Sequence, residues 1–146
     1  MKKAIYKSTK TYGHDLGLSC CFRQWRADHS HCSYLHGYSL KFKFEFSGEL
    51  DSNNWVVDFG GLNELKQKLK TYFDHKTVVA IDDPHLDFFK EGERLGVLDL
   101  IIIDTVGCEA FARLAWELAN DLIRPDVKCL SAEVREHDAN SAIYMG

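Results

Sequence analysis

The densest group of reactive side chains in the sequence is Asp28-His29-Ser30-His31-Cys32-Ser33-Tyr34-Leu35-His36-Gly37-Tyr38, which holds three histidines and a cysteine within eight residues. A thiol beside imidazoles can be held partly as thiolate, and so can serve as a proton acceptor, a nucleophile or a metal ligand. The same residues also describe a polar surface loop with a half-buried cysteine, since neither a Cys-x-x-Cys pair nor a His-x-x-x-His helix pair fixes a metal geometry. Asp74-His75 sets a carboxylate next to an imidazole, a couple able to hold or relay a proton near neutral pH. A histidine at a helix C-terminus is also favoured by the helix dipole alone. Glu136 closes the run Ala132-Glu133-Val134-Arg135-Glu136, whose alternation places Ala132, Val134 and Glu136 on one face. A carboxylate there either ends the strand in solvent or needs a partner, and a ligand with two adjacent N–H donors would satisfy it bidentately.

The elements that must position these groups are legible from periodicity. Over 38–46, Tyr38, Leu40, Phe42, Phe44 and Phe46 alternate with polar residues, which predicts a strand with one buried face. Weaker strand patterns cover 16–25, 55–59, 98–103 and 130–136, and the turn from Ser47-Gly48 to Asn54 suggests a hairpin. Leu62, Leu65, Leu69 and Phe73 predict a helix over 62–73. Ala110, Phe111, Leu114, Ala115 and Leu118 predict a second over 109–123, with Asp104 or Thr105 placed to cap it. Pro84 would open a short helix between them. Strands paired through hairpins with helices grouped on one face make an α+β sandwich.

With 146 residues, 45% of them hydrophobic, the chain suits one domain over 1–146, with no repeat or linker inside it. A net charge of −4 offers no general attraction to nucleic acid or anionic lipid, so any ligand phosphate must be met locally. No apolar run is long enough for a membrane span, and the start lacks a signal-peptide stretch. A cytoplasmic protein is expected. Five cysteines in no regular pattern point to free thiols rather than a disulfide framework.

Taken in order, the segments resemble the 6-carboxytetrahydropterin synthase and 6-pyruvoyltetrahydropterin synthase family. The likeness runs through Cys32-Ser33-Tyr34-Leu35-His36-Gly37-Tyr38, Val57-Asp58-Phe59-Gly60-Gly61-Leu62, Phe73-Asp74-His75-Lys76, Glu109 with Ala112, Val134-Arg135-Glu136, Asn140-Ser141-Ala142 and Tyr144. The resemblance implies a tunnelling fold (T-fold): an antiparallel four-stranded sheet with two helices on one face, the sheets of several subunits closing into a barrel, usually in a homohexamer. It implies Cys32 as the proton-transferring thiol, Asp74 and His75 as its helpers, Glu136 as anchor for the pterin's amino-pyrimidine edge, and Thr105 as a further contact. The implied activity is a lyase converting 7,8-dihydroneopterin triphosphate in queuosine or another 7-deazapurine biosynthesis. Lys41, Lys43, Arg23 and Arg26 are the basic residues near the expected pocket.

The resemblance also implies zinc, held in the family by three histidines. Here His36 stands in place, while Phe22 and Tyr38 occupy the other two positions. A zinc site would therefore have to recruit His29 and His31 beside His36, with His14 and Cys20 as further donors. Otherwise the two rings fill the metal's space and shape a dry pocket for a flat heterocycle. Two alternatives to the lyase follow: a pterin-binding protein without turnover, and a metal-independent, aldolase-like cleavage of a pterin side chain.

Overall fold

In a computed structural model, described here for residues 3–146, the chain forms two four-stranded sheets around a shared core. The first has the order β1 (Tyr6–Tyr12), β4 (Lys41–Gly48), β7 (Lys128–His137), β8 (Asn140–Tyr144), and every pair in it is antiparallel. Helices α1 (Asn63–Phe73) and α3 (Cys108–Leu122) pack on one face of it. This is the α+β arrangement expected from the sequence, a four-stranded antiparallel sheet backed by two helices. The second sheet has the order β3 (His36–Ser39), β2 (Ser19–Phe22), β5 (Lys76–Ala80), β6 (Leu100–Ile103). Its β2–β3 pair is antiparallel, and β2–β5 and β5–β6 are parallel. Helix α2 (Leu86–Arg94) makes the crossover between β5 and β6.

Several sequence expectations are corrected. The alternating run over 38–46 is two strands in two sheets, because the chain turns a corner at Leu40, which is wholly buried and donates its amide to the Leu18 carbonyl at 2.9 Å. The alternation survives the corner, so periodicity cannot reveal it. Residues 55–59 form no strand and no hairpin: the Asp51 carboxylate takes the amides of Asn53 and Trp55, Asn54 adopts a left-handed φ of 64°, and the neighbours Val56 and Val57 are both buried. Strands β1, β5 and β8 were not legible. Here β1 and β8 are edge strands rich in Lys, Ser, Thr and Asn, and β5 is a short apolar run without alternation. Neither Asp104 nor Thr105 caps α3, which starts at Gly107 with φ 123° and no side-chain cap. That φ is one L side chains rarely adopt, so glycine is favoured there on backbone grounds, while the nearest neighbour is the movable end of the Gln24 side chain.

The core is built from stripes that face each other. Phe42, Phe44 and Phe46 of β4 are wholly buried under α1 (Leu65, Leu69, Phe73) and α3 (Phe111, Ala112, Ala115, Ala119). The small alanines let α3 approach the sheet closely, as close packing demands. Phe111 is the bolt between the layers, with its ring 5.0 Å from Phe22 of β2 and 5.1 Å from Phe73 of α1. No helix among the described residues is long and apolar enough to cross a membrane. Phe111→Ala should cost about 3–5 kcal/mol, read as a lower urea midpoint at unchanged slope.

Candidate active site

The β2–β3 ribbon organises the reactive groups. Its register pairs Cys20 with Tyr38 and Phe22 with His36, so these four side chains share one face, and Ser19, Cys21, Gly37 and Ser39 share the other. Gly37 must lack a side chain because a Cβ there would sit 2.8 Å from the Cys20 carbonyl oxygen.

The first face leads into a cleft of about 450 Å³ whose lining includes Phe22, Gln24, Cys32, His36, Tyr38 and Glu136. Cys32 comes from the loop before β3, in a short 3-10 turn (His31–Ser33) whose first free amide is capped: the Ser30 hydroxyl accepts from the Cys32 amide at 3.0 Å. Its residue is exposed, whereas Cys20, Cys108 and Cys129 are buried. Glu136 arrives from the far end of β7 through a bulge. There Arg135 pairs with Ser141 and His137 with Asn140, so Glu136 is the extra residue, unpaired and free to be re-aimed into the cleft. Burial pushes its carboxyl above the ordinary range; His137 and His36 oppose the shift, and Glu109 adds to it. Burial also lifts the Cys108 thiol to about 11, helped by Glu136 and Glu109, so Cys108 stays a neutral wall of the cleft.

Asp74 and His75 stand elsewhere. They follow α1, and His75 takes a left-handed φ of 58°, tolerated by histidine better than by most residues, while its amide donates to the Ser19 carbonyl at 2.7 Å. The turn brings two adjacent side chains together, with His75 Nδ1 2.6 Å from Asp74 Oδ1. The carboxylate thus fixes the tautomer with Nδ1 as donor and leaves Nε2 free, on a side chain 83% exposed. His75 opens on a second groove, of about 520 Å³, with Ser19, Cys21, Ser39 and Thr77, on the opposite face of the ribbon from Phe22 and His36. Within one chain the structure therefore brings Cys32 and Glu136 together and sets the Asp74–His75 couple apart from them. Thr105 lies in a third depression with Tyr72 and Arg113, away from both.

The donors expected for zinc do not assemble within the chain. Among the described residues, no three His, Cys, Asp or Glu side chains converge where one ion could sit. His29 and His31 are exposed, and His31 packs on Tyr34, 6.1 Å between rings. His36 bonds the Tyr34 carbonyl through Nδ1 at 2.6 Å and lies against Phe22 and Tyr38, 5.6 and 5.3 Å between centroids. One imidazole nitrogen among rings cannot replace three ligands. Of the basic residues, Arg23 and Arg26 are engaged by Asp83 and Asp82, and Lys43 lies on another face with Lys7 and Glu45. Gln24 and Cys108 line the cleft without any signal in the sequence that would have selected them.

A family model described as 6-pyruvoyl tetrahydropterin synthase matches residues 14–146. A probable 6-carboxy-5,6,7,8-tetrahydropterin synthase of Halobacterium salinarum is 31% identical over 71 residues, 47% of this chain and 45% of that protein. A putative 6-carboxy-5,6,7,8-tetrahydropterin synthase of Archaeoglobus fulgidus is 34% identical over 62 residues, 41% of this chain and 54% of that protein. The chain thus spans about half the length of the curated relatives it matches. Among solved structures, an uncharacterized protein of Wolinella succinogenes superposes with a TM-score of 0.82 at 22% identity, covering 98% of this chain and 99% of that one. The Caenorhabditis elegans 6-pyruvoyl tetrahydropterin synthase gives 0.69 at 18% identity, covering 100% and 99%. These structures share the T-fold.

Glu136 has its pKa raised by folding, so its contribution to stability is full below the ordinary glutamate range and is lost as pH rises through the folded value. Glu136→Gln should therefore raise Tm at pH 7 and leave it unchanged near pH 4, as read by calorimetry across that range.

Proposed function

The chain belongs to the 6-pyruvoyl tetrahydropterin synthase family, and on that premise we propose that it is a lyase of the 6-carboxytetrahydropterin synthase type. Its substrate is 7,8-dihydroneopterin triphosphate, and its place is queuosine or a related 7-deazapurine biosynthesis. The observation that carries this reading is the meeting of Cys32 and Glu136, distant in sequence, in one cleft of about 450 Å³. A pterin presents a ring N–H beside an exocyclic amine, and a single carboxylate accepts both. Burial raises the pKa of the Glu136 carboxyl, and a ligand's paired N–H donors would offset that cost. With the ring so fixed, its side chain lies toward Cys32. Loss of triphosphate, and in the queuosine branch also of acetaldehyde, requires protons to be removed from and returned to the side chain, which a thiol and an imidazole can do.

Cys32 needs a second acid–base group, and the Asp74–His75 couple faces away from it on the same chain. We place that couple, Nε2 outward, in the site of a neighbouring subunit within a homo-oligomer, a hexamer by the family resemblance. No step in this account runs through zinc, because the histidines do not form its site. A second reading, a pterin-binding protein without turnover, draws on the Phe22 and Tyr38 rings beside His36, which suit stacking more than charge stabilisation.

Incubation with 7,8-dihydroneopterin triphosphate should release triphosphate, and Cys32→Ala should lower the rate by about 10²–10⁴-fold. Tight binding without release would favour the second reading. Activity should survive dialysis against a chelator. Cys32→Ala and His75→Ala, each inactive alone, should regain activity when their subunits are mixed and reassembled, since mixed oligomers contain sites with both groups intact.

A further inference from the structure

Cys32 lies on a stretch between β2 and β3 that holds no strand and no helix beyond one 3-10 turn, so something else must fix its thiol. Arg23, the first residue after β2, spans the base of that stretch. Its Nε and Nη2 donate to Asp83 Oδ2 and Oδ1, both at 2.8 Å, and its Nη1 donates to the Ser33 carbonyl at 3.1 Å. The pair is shielded, with side-chain exposures of 18% for Arg23 and 1% for Asp83. Asp83 is itself seated, accepting the His85 amide at 2.8 Å just before α2. Burial alone would push its carboxyl up, but the Arg23 fork and the His85 amide outweigh it and hold it below the usual range. Beside the fork, the Gln24 amide donates to the Cys32 carbonyl at 2.7 Å. Outside it, Asp82 takes Arg26 Nη2 at 2.9 Å and Trp25 Nε1 at 3.2 Å, and Arg26 stacks on the Trp25 ring at 4.3 Å.

We propose that the Arg23–Asp83 pair is a positioning device for Cys32, locking the residue after the thiol to the end of β5. The proposal rests on the reading of Cys32 as the proton-transferring thiol. Asp82 and Asp83 lie two and three residues after the end of β5 and His75 immediately precedes it, so this strand joins the anchor of the thiol loop to the acid–base couple. The device needs a planar fork, because one guanidinium must bind both carboxylate oxygens and a backbone carbonyl together; a lysine ammonium cannot hold that plane. The engaged fork also separates Arg23 from a phosphate-binding role.

The test compares Arg23→Lys with the double variant Arg23→Met/Asp83→Leu, an apolar replacement of the kind that commonly preserves folding of a buried ion pair. Both should lower kcat by roughly 10–100-fold with KM within about twofold. Both should also speed hydrogen exchange over 24–33 and change the rate of Cys32 alkylation by iodoacetamide. Wild-type kcat in either variant would overturn the proposal, as would a raised KM at unchanged kcat, which would make Arg23 a substrate ligand. If the wild-type protein releases no triphosphate, the lyase reading fails, and exchange and alkylation still decide the positioning role. If neither variant folds, exchange in the wild-type protein decides: the Gln24 amide, which donates to the Cys32 carbonyl, should be protected together with β5, and free-loop exchange there would refute the device.

Discussion

A β-strand points successive side chains to opposite sides, and in this chain that rule divides the reactive groups. The β2–β3 register turns Phe22 and His36 toward the cleft of Cys32 and Glu136, while Cys21 and Gly37 line the groove on which His75 opens, and Tyr38 borders both. A one-residue slip would exchange the faces and bury the wrong set, so the register is held from both ends. Phe22 is pinned under Phe111, and the Gly37 backbone lies against the Cys20 carbonyl. This division sets Cys32 and Glu136 in one cleft and the Asp74–His75 couple on another groove, and the proposed chemistry is built on it.

The rest of the fold supports that ribbon. The antiparallel sheet and its two helices supply the buried mass, and β7 carries Glu136 to the cleft on a bulge that frees it from the ladder. The parallel strand β5 takes the chain from His75 at one end to Asp83 at the other. Rigid elements therefore end where function is expected, and the irregular stretch that bears Cys32 is tied down by hydrogen bonds to its carbonyls and amides.

Much of this was readable from residues alone. Helices α1 and α3 follow from stripes such as Leu65, Leu69 and Phe73, which the core buries completely. An α+β sandwich was expected from the residues, and the four-stranded antiparallel sheet with two helices was implied by the family resemblance. What escaped was set by tertiary context. A corner at Leu40 leaves alternation intact, polar edge strands carry no pattern, and the Asx turn at Asp51 overrides the strand propensity of Trp55, Val56 and Val57. At the site, the resemblance selected Cys32, Asp74, His75 and Glu136, but no local pattern states which faces they occupy. The contact between neighbours Asp74 and His75 depends on one left-handed residue. Arg23 looked like a free cation until its partner, sixty residues away, was visible.

The proposed lyase works only if the two half-sites meet between subunits. An experimental structure of the assembled protein with a bound pterin measures this directly. It should place the pterin's amino-pyrimidine edge on Glu136, with Cys32 and the partner's His75 on either side of the ligand's side chain. A pterin bound away from Glu136, or an assembly in which every His75 faces solvent far from any Cys32, would contradict it.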